Sequence, residues 1–409
     1  MVKLEEWRDF QMTKRKALIK ICSAMLAVVI ISFSSISFAA SEIKYNASSK
    51  GTSFENGTKF SQGAVKVVNL KGTWHQIGRQ YGHLLKDELH DIYYNKLEAF
   101  MKEHPDKAQM VKKIAEDRYN DFPYKYKEVV RGIAETSKLN LEQVKIVNAV
   151  EYASGVTGCS GFSVWNDYSK NKDVVYGRNY DFFPSFKKIN NHVVVAVYHP
   201  SDGSLAAATI GYTGEIYAVN GLNEKGVFLE LNNGGPSGRG MHNRERIHGT
   251  VSLMSLLFDA DSLDYVDKFF KTTATNAAYI IGVADSNVAR SYEWAVDGVK
   301  QGDSTPGALI LSNHFTNPTW KNVQTTDSAS WFSLTRRKNM LALAEKYKGQ
   351  IDPALMQDLM ARRVEKDGPM SDLTVFQMVV EPKDMNLWLK VTDASDWTKI
   401  NLGSFLKVK

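Results

Sequence analysis

Cys159 lies in the run Gly158-Cys159-Ser160, and the segment Gly177-Arg-Asn-Tyr-Asp181 follows it with an arginine, Arg178, and an acid, Asp181. A thiol, a permanent cation and a carboxylate are the ingredients of covalent acyl chemistry. The chain has two cysteines. The other, Cys22, precedes an apolar run that reads as a removable leader, so Cys159 is the one cysteine expected in the mature chain. A lone thiol in a secreted protein has no disulfide partner within its own chain. It is either a small buried hydrophobe or a nucleophile.

A nucleophilic thiol needs a base. A papain-like pair would draw one from His192, His242 or His314, although none stands in a local signature of a catalytic histidine. The other candidate is an α-amino group, whose unperturbed pKa of about 7.7–8.0 lies far below the roughly 10.4 of lysine. Breaking the bond between Gly158 and Cys159 would set the amine of Cys159 beside its own thiol, making nucleophile and base one residue. Gly158 suits this, because a residue without Cβ lets the thiol approach the preceding carbonyl. In that scheme Asp181 orients the amine and Arg178 holds positive potential near the thiolate. Asparagine side chains would donate to the oxyanion. Arg178 and Asp181 are three apart, which puts them on opposite faces of a strand unless the strand ends or bends there. A surface ion pair is the plainer account of the two. The chemistry calls for no metal and no organic cofactor. The sequence has no His-Glu-x-x-His and no paired-cysteine motif, and His242 and His248 stand six apart in a loop-like segment.

The elements that must position these residues change character at Cys159. Upstream, a strand over residues 65–70 leads through Gly72-Thr-Trp74 into a helical pattern carrying Ile77, Tyr81, Leu84 and Leu85. Helical periodicity continues over 92–101, 107–119 and 124–137, and Asn140 caps a further helix running to about Glu151. Gly78 and Gly82 lie on the first helix, where each costs about 1 kcal/mol against alanine, so the pattern predicts close backbone packing. Residues 40–62 are rich in Ser, Asn, Gly and Lys and read as a loose leader; Asn46-Ala-Ser48 and Asn56-Gly-Thr58 match the glycosylation pattern. Downstream the period becomes two. Strands are expected at 162–165, 174–176, 193–198, 204–210, 216–220, 226–231, 278–284, 289–294, 308–312, 373–380 and 385–391. Helix pairs at 252–257 with 262–272, and at 333–347 with 353–363, interrupt them. Many antiparallel strands with helices inserted in pairs argue an α+β fold, its sheets lying between helical layers.

The 409 residues, 43% hydrophobic and 23% charged, predict a substantial core. The net charge of +6 is spread along the chain without a basic, aromatic-studded block, which argues against nucleic acid as a partner. Lys14-Arg-Lys16 precedes an apolar run over 25–38 that ends in Ser37-Phe-Ala39-Ala40. Residues 1–39 therefore read as a secretory signal peptide, with a membrane anchor as the competing account, and the protein is expected to be secreted or held in the cell envelope.

Taken together, Gly158-Cys-Ser and Gly177-Arg-Asn-Tyr-Asp181-Phe resemble the linear-amide hydrolases of the N-terminal-nucleophile group. That group includes choloylglycine hydrolase, penicillin V acylase, acid ceramidase and the isopenicillin N acyltransferase family. Gly72-Thr-Trp, Gly78-Arg-Gln-Tyr-Gly82, Arg131-Gly-Ile-Ala-Glu135 and Asn148 resemble the propeptide of the self-processing acyltransferase and ceramidase branch. The resemblance implies a four-layer α/β/β/α sandwich with a helical prosegment, 40–158, followed by a catalytic domain, 159–409. It implies self-cleavage between Gly158 and Cys159, the prosegment being retained as a partner subunit, and leaves open whether the protein forms an oligomer. Cys159 then matches the nucleophile, Arg178 the arginine beside the thiol, and Asp181 the carboxylate that orients the amine. Asn232, with Asn233 as the other frame, matches the oxyanion asparagine. Asn313 matches a second asparagine, although the family often has Asn-Asn-Pro where this chain has Asn313-His314-Phe315. Ser333-Leu-Thr-Arg336 resembles a Ser-x-x-Arg pattern whose arginine supports the nucleophile, with Arg337 beside it as the alternative. The implied substrate is a small-molecule acyl amide. His192, Tyr180, the aromatic run Phe182-Phe-Pro-Ser-Phe186 and the stretch 234–242 are candidates for its pocket.

Overall fold

The computed structural model describes residues 42–43, 51–150, 158–182, 184–237, 242–321, 323, 325–327 and 330–407. The leader over 1–39 lies outside the described residues.

Strands β1 (Glu42–Ile43), β2 (Thr52–Phe54), β3 (Gly57–Gln62) and β4 (Val65–Gly72) come first. Helices α1 (Trp74–Leu84), α2 (Pro105–Asp121), α3 (Tyr124–Ser137) and α4 (Leu141–Asn148) follow, with a wide π-type turn over Asp91–Glu98 between the first two. Beyond Cys159 come β5 (Ser160–Val164), β6 (Val175–Asp181), β7 (Val193–Pro200), β8 (Ala207–Tyr212), β9 (Asn220–Asn223) and β10 (Phe228–Asn233). Helices α5 (Gly249–Asp259) and α6 (Leu263–Thr272) lead to β11 (Tyr279–Ala284), β12 (Ala289–Ala295), β13 (Gly298–Gln301) and β14 (Ala308–Leu311). Helices α7 (Ser333–Lys346) and α8 (Pro353–Met360) precede β15 (Thr374–Glu381), β16 (Asn386–Val391), β17 (Thr398–Asn401) and α9 (Leu402–Leu406).

The strands form two sheets, ordered β1-β17-β16-β15-β6-β5-β14 and β13-β12-β11-β10-β9-β8-β7-β4-β3-β2. They face each other: Tyr176 of β6 packs on Phe228 of β10 with ring centroids 4.9 Å apart. On the outer face of the seven-stranded sheet, Phe162, Val164, Val175, Ile310 and Val379 pack with Met340 and Leu343 of α7 and Met356 and Met360 of α8. On the outer face of the other sheet, Trp74 of α1 meets Phe258 of α5 edge to face at 5.0 Å. The architecture is therefore helix, sheet, sheet, helix, and both faces of a central strand such as β6 are covered.

Local chemistry explains the helix starts. Thr73 and Asn140 each close a capping box with a glutamine three residues on, Gln76 and Gln143. The close packing expected at Gly78 is present: a Cβ there would lie 2.1 Å from the carbonyl oxygen of Val129 in α3. The reading of 40–62 as wholly loose is corrected over 52–62, which forms the β2–β3 hairpin. Its turn is Glu55-Asn56, with Glu55 at φ 51°, followed by Gly57. Asn56 of the glycosylation pattern thus lies in the hairpin turn, and Gly57 opens β3. The strand expected at 216–220 lies instead at Asn220–Asn223. Ile216 to Val219 pass through the core irregularly, Ala218 N donating to Thr250 O at 3.2 Å and Val219 O accepting from Leu231 N at 2.9 Å. The closing β17 and α9 have no counterpart among the expected elements.

Candidate active site

Cys159 immediately precedes β5, which pairs with β6 so that Gly161 faces Arg178 and Ser160 faces Asn179. Side chains alternate along a strand. On β6, Tyr176 and Arg178 point between the sheets, whereas Gly177 and Asn179 point toward α8, Asn179 Nδ2 donating to Met360 O at 3.1 Å. On β5, Gly161 opens between the sheets toward Glu230, and Ser160 turns outward toward α7. Cys159 shares the inter-sheet side with Gly161 and is 1% exposed. Its Sγ lies 3.8 Å from the main-chain oxygen of Asp181, which also accepts from Gly158 N at 3.3 Å.

The opposite-face expectation for Arg178 and Asp181 holds, but neither is a surface group; both are fully buried. Arg178 reaches the facing sheet, donating from Nη1 to Asn232 Oδ1 and from Nη2 to Leu231 O, each at 2.7 Å. It is ion-paired with Glu230. Asp181 ends β6 opposite Thr374, where the pairing with β15 shifts register. Its carboxylate accepts from Thr374 Oγ1 at 2.6 Å and Ser371 Oγ at 3.3 Å, and stands 3.9 Å from Arg336 Nη1. Burial pushes the Asp181 carboxyl up to about 6, against the pull of Arg336 and the two hydroxyls.

Arg336, on the first turn of α7, gathers the outer side of the site. Its Nη1 donates to Cys159 O at 2.6 Å and Ser160 Oγ at 2.5 Å, its Nη2 to Asn313 Oδ1 at 2.8 Å, and its Nε to Trp331 O at 3.0 Å. Arg337 points away, toward Asp303 at 3.0 Å. One residue turns a helical side chain by about 100°, so adjacent arginines serve different surfaces. Two arginine–asparagine pairs result, Arg178–Asn232 between the sheets and Arg336–Asn313 beside the main chain of Cys159. In each, the arginine occupies the carboxamide oxygen and fixes which way the NH₂ group points. Asn232 Nδ2 donates to Glu230 Oε1 at 3.2 Å, and Asn313 Nδ2 to the main-chain oxygen of Asn233 at 2.9 Å. Asn233 itself turns its Oδ1 onto Gly235 N at 2.9 Å.

The histidines have other partners: His192 Nε2 meets Asp91 Oδ2 at 2.6 Å, and His314 Nδ1 meets Ser333 Oγ at 2.7 Å. Burial pushes His314 down to about 4, so it is neutral at ordinary pH. Ser333 Oγ also accepts from Asn313 N at 2.7 Å, which ties this departure from the family pattern to the asparagine beside it. Tyr180 stacks on Phe376 at 4.4 Å and on Phe182 at 6.1 Å. Phe183 and residues 238–241 lie outside the described residues, as does the side chain of Phe186. Among the described residues no cluster of His, Cys, Asp and Glu could hold a metal.

Sequence reasoning missed Glu230, Ser371, Thr374 and Trp331. Glu230 leaves a signal, a carboxylate between Leu229 and Leu231 in an apolar strand; it is buried, and Tyr176 Oη donates to it at 3.0 Å.

The sequence model of the acyl-coenzyme A:6-aminopenicillanic acid acyl-transferase family matches residues 168–396, more than half of the chain. The chain belongs to this family. Membership places it in the N-terminal-nucleophile superfamily, among the hydrolases and acyltransferases of linear amide bonds. The matched span holds Arg178, Asp181, Asn232, Asn313 and Arg336 and begins just after Cys159. No curated protein sequence matches the chain. Solved structures similar to it include a mutant of conjugated bile acid hydrolase from Clostridium perfringens, at 13% identity, covering 60% of this chain and 92% of that one, with a TM-score of 0.39. The Caenorhabditis elegans ortholog of N-acylethanolamine-hydrolyzing acid amidase is similar at 14% identity, 55% and 93% coverage and a TM-score of 0.41. Penicillin V acylase from Agrobacterium tumefaciens is similar at 12% identity, 60% and 86% coverage and a TM-score of 0.38.

Proposed function

We propose that this family member is a secreted or cell-envelope amidase or acyltransferase whose nucleophile is Cys159, made active by cleavage of its own chain between Gly158 and Cys159. The observation that carries the reading is the grip on Cys159. Arg336 holds the main-chain oxygen of that residue, so its carbonyl side stays anchored when the bond on its amino side is broken.

In self-processing, the Cys159 thiol adds to the Gly158 carbonyl, the C–N bond breaks, and the thiol proton leaves with the new amine. Water hydrolyses the thioester, returning the thiol and leaving a Gly158 carboxylate. In turnover the Cys159 amine takes the thiol proton, the thiolate attacks the acyl amide, and the proton passes to the leaving amine. Water, or an acceptor amine, resolves the acyl-thioester. Asn232 and Asn313 supply NH₂ donors whose direction Arg178 and Arg336 set, and preorganised donors of this kind stabilise a developing oxyanion. Asp181 suits the amine: it is buried with a raised pKa in the uncut chain, and an ammonium released beside it would supply the charge that favours its carboxylate. The substrate is a small-molecule acyl amide, and residues 40–158 stay bound as the smaller subunit.

Intact-mass measurement of the purified secreted protein tests this. Wild type should give two polypeptides separated at Gly158–Cys159, and Cys159→Ala should stay whole and inactive on acyl amides. An uncut, active wild type would overturn self-processing, and an active Cys159→Ala would overturn the nucleophile.

A further inference from the structure

If Cys159 attacks the Gly158 carbonyl, Gly158 is the first acyl group the thiol meets, and its Cα is the α-carbon of that acyl group. What touches that carbon is therefore of interest for the substrate. Gly158 lies against Trp331: a methyl added at its Cα would stand 3.2 Å from Trp331 Cβ, 3.5 Å from Cγ and 3.6 Å from Cε3. That is contact along the root and the ring edge of the indole, close enough that a branch would press on it.

Trp331 is held in place at a conformational cost. Trp331 and Phe332 are consecutive non-glycine residues in the left-handed region, at φ 50° and 60°. Such outliers persist only where the surroundings over-determine them, and they gather at functional sites. Here the surroundings do so from both sides. Arg336 Nε donates to Trp331 O at 3.0 Å while the same guanidinium holds Cys159 O at 2.6 Å. Phe332 N donates to Asp327 O at 3.0 Å, and the Asp327 carboxylate caps α7 through Leu334 N at 2.9 Å and Thr335 Oγ1 at 2.6 Å. One guanidinium thus holds the main-chain oxygens of both Cys159 and Trp331. Beyond Trp331 the surface stays apolar: Phe332 is 55% exposed and Leu334 40%. Exposed large apolar side chains beside a reactive group favour an apolar ligand portion.

We propose that Trp331 is a specificity-determining residue: its indole, covered by Gly158 in the uncut chain, becomes the seat of the α-carbon of the substrate acyl group once the prosegment end moves away. The group that fits is apolar and unbranched at that carbon, such as a straight-chain acyl group. This rests on Cys159 being the nucleophile. Gly158 and the acyl group then use the same wall in succession, so one contact governs both self-cleavage and substrate choice.

The test compares hexanoyl and 2-methylhexanoyl 4-nitroanilides with processed wild type, Trp331→Ala and Trp331→Leu, each checked for an unchanged thermal midpoint. In parallel, Gly158→Ala is made in the wild-type and Trp331→Ala backgrounds and self-cleavage is followed by intact mass. Wild type should prefer the unbranched amide about tenfold or more in kcat/KM. Trp331→Ala should reduce that preference to about twofold by gaining on the branched substrate, and Gly158→Ala should slow cleavage in wild type but much less beside Trp331→Ala. Equal discrimination by wild type and the Trp331 variants, in a chain that cuts and is silenced by Cys159→Ala, overturns the role of Trp331 alone. A wild type that neither cuts nor depends on Cys159 overturns both this and the reading beneath it.

Discussion

Asp181 and Glu230 are both buried carboxylates, yet their surroundings set them to different tasks. Glu230 is matched by Arg178 and sits between the sheets, where leaving either charge unpaired would cost about 3–5 kcal/mol. Asp181 has two hydroxyl donors and a more distant arginine, and burial outweighs them, so its pKa rises to about 6 from 3.8. A raised carboxyl pKa means that the folded chain holds this proton more tightly than the unfolded one. The resulting stability is fully present below about pH 4 and is lost as pH rises through about 6, by up to about 3 kcal/mol. Asparagine imitates the protonated acid. In the uncut Cys159→Ala chain, Asp181→Asn should therefore be nearly neutral at pH 4 and increasingly stabilising toward pH 7, measured by denaturant unfolding at both pH values. A difference that stays flat across that window would contradict the raised pKa.

At the level of elements, helices α1 and α3 meet at glycines, which bring their backbones into close approach. Gly78 of α1 meets Val129 O, and Gly132 of α3 meets His75 O, where a Cβ would stand at 2.1 Å and 2.3 Å. Alanine gains about 1 kcal/mol of helix propensity at either position but forces the backbones apart. Gly78→Ala and Gly132→Ala should each cost about 1–3 kcal/mol net, seen as a lower thermal midpoint; an increase would show that the helices are not in contact at these points. The strand pair β5–β6 is organised by alternation instead. Arg178 and Asp181 lie on opposite sides of one sheet: Arg178 reaches across to Asn232 of the facing sheet, and Asp181 is turned toward Arg336 of the helical layer.

Across the whole molecule, the residues upstream of Cys159 do more than cover a surface with helices. Strand β4 pairs in parallel with β7 over Lys66–Gly72 and Val194–Pro200, and β2 and β3 extend the same sheet. Side chains cross the proposed cut as well. Trp74 Nε1 donates to Asp202 at 2.6 Å, Asn148 Nδ2 to Gly214 O at 2.8 Å, and the Tyr81 hydroxyl accepts from Gly214 N at 2.7 Å. A shared ladder and buried hydrogen bonds are little screened by salt. The two pieces of a processed chain should therefore co-elute in gel filtration at about 1 M NaCl and separate only in denaturant. A free small piece in native buffer would show that the ladder does not survive cleavage.

The sequence by itself determined what is local. Cys159 and the arginine and acid after it were legible as residue types, and the capping boxes at Thr73 and Asn140 belong to their own helices. The change of period from 3.6 to two at Cys159 placed most strands, because burial on one or two faces leaves its mark along a single segment. Only the tertiary structure decided which distant groups meet. Glu230 matters because β10 faces β6. Arg336 rather than Arg337 reaches Cys159 because of the phase of α7 against the sheet, and Trp331 lies on Gly158 across more than 170 residues of chain. Such contacts are set by sheet order and layer packing, and no single segment carries the pattern of its partner.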